Sequence, residues 1–452
     1  MACQGWESYG RWWRLLVLSG GIAAVLAVPP VLLGGPPGRA GGSAPPGAAV
    51  GWGFTHTRFS ADGGDPAATA RVRRLLRSGG GLAQDQAIMG WGADNPEPSR
   101  GHYDFGALDH RVGFVRASGG TPVITLCCAP DWMKGGESGA DRTDWSRSAL
   151  ETAPAPAHYQ DFADLAATVA RRYPDVRHFI VWNEFKGFWD EAGNRWDYEG
   201  YTRLYNLVYR ALKKTGEDVM VGGPYPAMDS VAPDDPHASP AVRGAWGAMD
   251  QRVLDAFSYW NTHKAGADFT VVDGASYPRG GAPRPDEFTA TDKLTAVGAW
   301  VRRQTHGLPL WWAEYYVEPG DGAAGWSEPH RVAVQAAGMI ALVRGGAETG
   351  FYWNPEQRTG PGCPGCLWTP TDRADGGRPL PMYDLVSRFA AAFPPGTTYR
   401  TVSVDPAAAP GLRVLASDRT VLVVNTRGRT TGARVDGGRL RLRPYEVRWL
   451  DR

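Results

Sequence analysis

HFIVWNEFKGFWD, residues His178 to Asp190, is the stretch on which the fold turns. His178-Phe179-Ile180-Val181-Trp182 is an apolar run of strand type. It stops abruptly at Asn183-Glu184, an amide and a carboxylate, and an aromatic-rich segment follows. A buried strand that ends in a carboxylate belongs to a fold that collects polar groups at strand tips.

Working outward, short apolar runs of the same kind recur at 51–57 (GWGFTHT), 87–92 (AIMGWG), 121–128 (TPVITLCC), 219–224 (VMVGGP), 269–278 (FTVVDGASYP), 308–316 (LPLWWAEYY) and 349–355 (TGFYWNP). The spacers carry helical periodicity. HYQDFADLAATVARRY places apolar residues three and four apart, and EGYTRLYNLVYRALKKTG ends in Lys213-Lys214 and Gly216, as a helix C-terminus does. Strand and helix alternating eight times is the pattern of an α/β (β/α)8 barrel, here over 51–394. An open doubly wound sheet is the rival, but no Gly-rich phosphate turn follows the first strand. The tail, 395–452, is strand-like and punctuated by Arg-Gly, Gly-Gly and Arg-Pro, and reads as a small antiparallel β module.

Residues 1–50 read differently. Arg11 and Arg14 flank an apolar run from Leu15 to Leu33 that is broken by Gly20-Gly21 and Pro29-Pro30 and followed by PPGRAGGSAPPGAAV. This is an export signal, cleaved or kept as a membrane anchor, with a Pro/Gly-rich linker behind it. It places the protein outside the cell, secreted or held at the outer face of the membrane. Lys plus Arg number 48 against 47 Asp plus Glu, so no global field recruits nucleic acid. The five cysteines include Cys127-Cys128 and the pair Cys363 and Cys366. In an exported chain Cys363 and Cys366 read as a small disulfide loop, with a metal site or free thiols as the other readings. Adjacent cysteines chelate poorly, so no metal is expected, and the hydrolytic chemistry read below needs no cofactor.

Chemistry in such a barrel sits at the C-terminal strand ends. Glu184 closes the fourth strand and Glu314, in WWAEYY, closes the seventh. Two carboxylates facing across a cleft suit glycoside hydrolysis, one protonating the leaving oxygen and the other attacking or activating water. Asn183 is placed to bond the 2-hydroxyl of a sugar. His56, Trp91, Trp132, Trp189, Tyr277, Trp312 and Trp353 lie at or near strand tips and are candidate sugar contacts, since apolar sugar faces stack on aromatic rings. Glu318 and Glu356 read as rim residues, and Asp273 as a further site group or a bulge with Gly274.

On these residues the chain resembles the clan A glycoside hydrolases, most closely the family 39 type of β-xylosidases, α-L-iduronidases and exopolysaccharide endoglycosidases. WGADNPEPSRGHYDFGALDHRV, PVITLCCAPDWM and WNEFKGFW carry the resemblance, which spans nearly all of the chain after residue 50. It implies that Glu184 is the acid/base and Glu314 the nucleophile, with net retention. Two departures stand out. Phe185-Lys186 replaces the family's usual Pro-Asn after the acid, and Asp273 with Tyr277 occupies the strand where the family often carries a His. The expected substrate is an oligosaccharide or polysaccharide, cleaved as a β-xylosidase or an endoglycosidase would. From another class, the alternative is a carbohydrate-binding protein that kept the barrel and lost catalysis.

Overall fold

The computed structural model describes residues 47–136, 142–279, 286–319, 325–356 and 365–451. The expected leader and most of its linker lie outside the described residues, as does Cys363 of the expected Cys363–Cys366 pair. Among the described residues no helix is long and apolar enough to cross a membrane.

Eight parallel strands close into a barrel: β1 (Gly51–Thr55), β2 (Ala83–Ala87), β3 (Thr121–Leu126), β4 (His178–Val181), β5 (Met220–Ala227), β6 (Phe269–Asp273), β7 (Leu310–Trp312) and β8 (Ala347–Trp353), with β8 pairing back onto β1. A long helix follows each strand, in order α1 (Pro66–Ser78), α2 (Gly106–Ala117), α3 (Tyr159–Arg172), α4 (Tyr198–Lys213), α5 (Gln251–His263), α6 (Asp292–Gln304), α7 (Glu328–Arg344) and α8 (Pro381–Ala392). Their starts are chemically marked. Asp65 caps α1 ahead of Pro66, Asp197 caps α4, and Ser327 caps α7 ahead of a Pro in the first turn.

One strand lies where the sequence pattern did not put it. β2 is the polar AQDQA of 83–87, not the apolar AIMGWG of 87–92. Gln84, Asp85 and Gln86 can be buried because each is partnered. Gln84 bonds His56 (2.9 Å) and Ser118 (2.9 Å), Asp85 accepts from Thr125 (2.9 Å), and Gln86 accepts from Arg111 (3.1 Å).

The strands separate two apolar layers. Inside the barrel, Ala83, Val123, Ile180, Phe269, Val271, Trp311 and Phe351 pack on one another, and Trp311 stacks on Phe269 with centroids 3.9 Å apart. The floor is closed by the entering chain, where the Ala48 carbonyl accepts from the Trp311 indole (2.9 Å) and His178 bonds the Gly47 carbonyl (2.8 Å). Outside, the helices cover the strands. The C-terminal module has an antiparallel sheet of β9 (Leu412–Ala416), β10 (Thr420–Asn425) and β13 (Val447–Asp451), plus a hairpin of β11 (Thr431–Val435) and β12 (Gly438–Leu442). Leu415, Leu422 and Val424 join the barrel's outer core, so the module is packed onto the barrel.

Candidate active site

Strand β4 hands over to the site through a strained turn. Trp182, Glu184 and Phe185 adopt φ of 69°, 50° and 55°, left-handed values that cost a side-chain-bearing residue on the order of 1 kcal/mol or more each. The surrounding structure holds them there. The Trp182 indole donates to the Lys186 carbonyl (2.8 Å) and its ring packs on Phe162, while Phe185 lies 4.3 Å from Tyr201, whose hydroxyl donates to the Val181 carbonyl (2.9 Å). Gly187, at φ 77°, passes so near Ala153 that a Cβ would sit 2.1 Å from its backbone nitrogen. The aromatic run after Asn183-Glu184 is thus largely the clamp that fixes Glu184.

Glu314 arrives from the opposite wall. Beyond β7, Ala313 still points into the barrel, and the next residue reaches the mouth. Its carboxylate accepts from the Tyr225 hydroxyl (2.6 Å), from the Tyr316 hydroxyl and from the Asn183 amide at 3.5 Å. Asp273 ends β6 after a register shift in its pairing with β5, so the bulge and the site position expected for it coincide. Glu184, Asp273 and Glu314 each offer an oxygen within 4.8 Å of the others. A cation is already present in the side chain of Lys186, whose Nζ lies 2.7 Å from Glu184 Oε2, 3.9 Å from Glu151 and 5.0 Å over the Trp91 ring.

The charges follow from these contacts. Burial alone would raise Glu184, but the charge of Lys186 and hydrogen bonds from Asp273 and Lys186 outweigh it, and its carboxyl lies below the usual range. Burial, and then the charge of Glu184, hold Asp273 well above that range. Burial and Glu184 also push Glu314 up to about 7, against the pull of Lys186 and the two phenols. Behind Glu314, Asp85 is raised to about 7, first by burial.

The remaining candidates separate. Trp91, Trp189, Tyr277 and Trp353 are half-buried. Trp189 sits in a small hairpin, edge-on to Trp196 and under Arg252. Trp312 is fully buried on the helix side of β7, because successive strand residues face opposite ways and Trp311 takes the inward position. Trp132 is buried with its indole donating to the Glu97 carbonyl (2.9 Å), and His56 is buried with Nδ1 on Ser60 and Arg111 and Nε2 on Gln84. Contrary to their reading as sugar contacts, Trp312, Trp132 and His56 are packing and network residues. Glu318 pairs with Arg331, whereas Glu356 is no rim residue but a buried clamp. Cys127 and Cys128 are joined to each other. Sequence reading missed Tyr225 and Asp85, which come from strands distant in the chain and carry no motif, and Tyr316, which lies two residues beyond Glu314 in the same WWAEYY stretch.

No protein-family model matches the chain, and no curated protein matches it in sequence. Solved structures do share its fold. A GH39 β-xylosidase from Caulobacter crescentus aligns with a TM-score of 0.52 at 17% identity, over 83% of this chain and 79% of that one. The fold is one that solved glycosidase structures share. SrfJ from Salmonella typhimurium aligns with a TM-score of 0.55 at 14% identity over 88% of each chain, and a GH30 endoxylanase from Clostridium papyrosolvens C71 with 0.51 at 12% identity over 85% and 83%. At 12–17% identity the likeness to these structures, a GH39 enzyme among them, is one of fold.

Proposed function

We propose that the protein is a retaining glycoside hydrolase in which Glu314 attacks the anomeric carbon and Glu184 serves as acid and then base. The observation that carries this reading is the closeness of the two carboxyl groups, with oxygens within 4.8 Å across the barrel mouth. Retaining enzymes hold their pair about 5–5.5 Å apart, while inverting enzymes need about 6.5–9.5 Å to admit a water. The phenols of Tyr225 and Tyr316 donate to Glu314, which supports its working form as an anion. Asn183, between the two, is suited to a sugar hydroxyl. Among the described residues no donor reaches its Oδ1.

The substrate is an oligosaccharide or polysaccharide, taken β-xylosidase-like or as an endoglycosidase. The apolar run Leu15–Leu33 behind two arginines supports action outside the cell or at the outer face of its membrane. Fractionation of the native cell checks this, since cytoplasmic recovery would refute it.

A panel of aryl glycosides and polysaccharides tests activity, and a chain that binds but cleaves none of them is a carbohydrate-binding protein. On the active aryl glycoside, Glu184→Ala should spare substrates with acidic leaving groups and be rescued by azide as a glycosyl azide of retained configuration. NMR of the product decides, and an azide of inverted configuration sinks the assignment.

A further inference from the structure

The proposed acid is ionised where it should carry a proton. Lys186 Nζ lies 2.7 Å from Glu184 Oε2 and belongs to this chain's own departure from the family pattern. A carboxylate in that pairing is an anion, yet protonating a glycosidic oxygen requires a proton close by.

Asp273 supplies one by geometry. It is fully buried, its backbone is pinned by the Met228 amide on its carbonyl (2.8 Å), and among the described residues no N–H or O–H reaches either side-chain oxygen. Its carboxyl instead faces that of Glu184, with an oxygen of each within 4.8 Å of the other. Two carboxyl groups form a hydrogen bond only with a proton between them. We propose that Asp273 is a positioning residue that stores the proton Glu184 delivers, handing it to Glu184 in the first half of the reaction and taking it back in the second. This rests on the reading of Glu184 as acid/base.

The charges balance at each step. At rest Glu184 and Glu314 are anions and Asp273 is neutral. As the bond from the anomeric carbon to the leaving oxygen breaks, that oxygen takes a proton from Glu184, which takes the one on Asp273. Glu314 loses its charge by bonding to the anomeric carbon. The site therefore carries two negative charges before, on Glu184 and Glu314, and two after, on Glu184 and Asp273. Water then gives its hydroxyl to the anomeric carbon and its proton, through Glu184, to Asp273, while Glu314 departs as carboxylate. Neutralising Glu314 removes a charge that disfavours the Asp273 anion, so proton release is coupled to the chemical step.

The groups around Asp273 agree with this. Glu184 faces it from β4, Glu314 from beyond β7, Asp229 from beyond β5, and Tyr225 and Tyr316 from β5 and the β7 loop. The cations of that surround are Lys186 on Glu184, Arg279 on Asp229 and Lys293, which is fully buried in the first turn of α6 and whose Nζ nothing bonds among the described residues. Glu184 is already paired with Lys186 and Asp229 with Arg279, so it is the burial of Asp273, the lack of any donor to its oxygens among the described residues and the facing Glu314 that favour the protonated carboxyl.

The test is Asp273→Asn in the full chain, with the 2,4-dinitrophenyl and phenyl glycosides of the sugar that the panel identifies. We expect kcat/KM to fall at least about 100-fold for the phenyl glycoside and less than about 5-fold for the dinitrophenyl one, with the alkaline limb for the phenyl substrate moving to lower pH. Adding Lys186→Met should restore about tenfold or more on the phenyl glycoside, because Glu184 can then hold its own proton. Equal losses on both substrates with an unmoved pH profile and no response to Lys186→Met would overturn the proposal. If Asp273→Asn does not fold, infrared spectra of the wild-type chain labelled with 13C at aspartate carboxyls decide. A protonated carboxyl persisting at pH 8 supports the proposal and its absence overturns it. Should Glu184→Ala lack leaving-group dependence, both readings fall together. Should it behave as expected while Asp273→Asn does not, only this one falls.

Discussion

Glu314 and Glu356 follow neighbouring barrel strands and are equally buried, at 4% exposure each. Their surroundings differ in kind. Glu356 accepts from the Ala61 amide (2.6 Å), the Trp368 indole (2.6 Å), and the Thr371 amide (2.6 Å) and hydroxyl (2.7 Å). Four donors, two of them backbone, surround it and tie the β1 loop to the segment after β8. Glu314 instead bonds two phenols and one distant amide, and it faces two more carboxyl groups. A carboxylate saturated by fixed donors is a structural joint. One held among like charges is kept at a stability cost, as reactive groups are.

Exchanging the two glutamates for glutamine should break this comparison along its seam. On the proposed assignment, Glu314→Gln forms no covalent intermediate, so turnover on the active aryl glycoside should fall at least about 10⁴-fold. Its Tm should stay level or rise, because a like charge leaves the cluster. Glu356→Gln should do the reverse. Its amide N–H₂ must face donors, costing roughly 2–4 kcal/mol of stability, with kcat per folded molecule nearly kept. Denaturant unfolding beside active-site titration measures both, and a destabilised Glu314→Gln would erase the distinction.

That contrast was only half legible in the sequence. Glu314 stood out because WWA is apolar and the carboxylate interrupts it, and Glu184 because HFIVW runs straight into Asn-Glu. The same preference for apolar runs missed β2, since AQDQA is buried through hydrogen bonds from His56, Arg111 and Thr125 and one from Gln84 to Ser118 that no local pattern announces. It also over-read the tryptophans. Trp311 and Trp312 are adjacent, yet the pleat sends one into the barrel and the other under the helices. Glu356 looked like a loop residue because its partners, Ala61 and Thr371, lie 295 and 15 residues away. Partners brought together by closure of a barrel leave no periodicity to read.

The charge environment of Glu314 sharpens the comparison next. Its carboxyl is pushed up to about 7, by burial and then by Glu184, and attack requires the anion. The acid limb of kcat/KM should therefore lie near pH 7 rather than in the usual carboxylate range, activity rising with pH through it. Glu184→Gln removes the neighbouring charge. With a dinitrophenyl glycoside, which needs no acid, the limb should drop by about one unit, a tenfold change at a fixed pH on that flank. A limb that stays in place would assign it to another group.

The smallest expected effect concerns Asp85, which lies behind Glu314 in the polar strand β2. Thr125 donates to it, but burial dominates and raises its carboxyl to about 7 from 3.8. A group whose folded value is raised favours the folded state while protonated. Its contribution is complete below about pH 4, where both states hold the proton, and declines as pH rises toward 7, where only the folded state still does. Above that, the buried anion is carried as a standing penalty. Asp85→Asn keeps an acceptor for Thr125 and removes the charge, so the variant should gain on the order of 1 to 2 kcal/mol at pH 8 and, with no charge to remove, lose about 1 to 3 kcal/mol at pH 4. The gain is smaller than the full shift implies because the new amide N–H₂ finds no acceptor among the groups bonded to Asp85. Urea unfolding at both pH values reads it directly. A variant that is less stable at pH 8 would mean that the Asp85 anion is solvated or paired, and that the polar strand beneath the site resembles the clamp at Glu356 more than the cluster at Glu314.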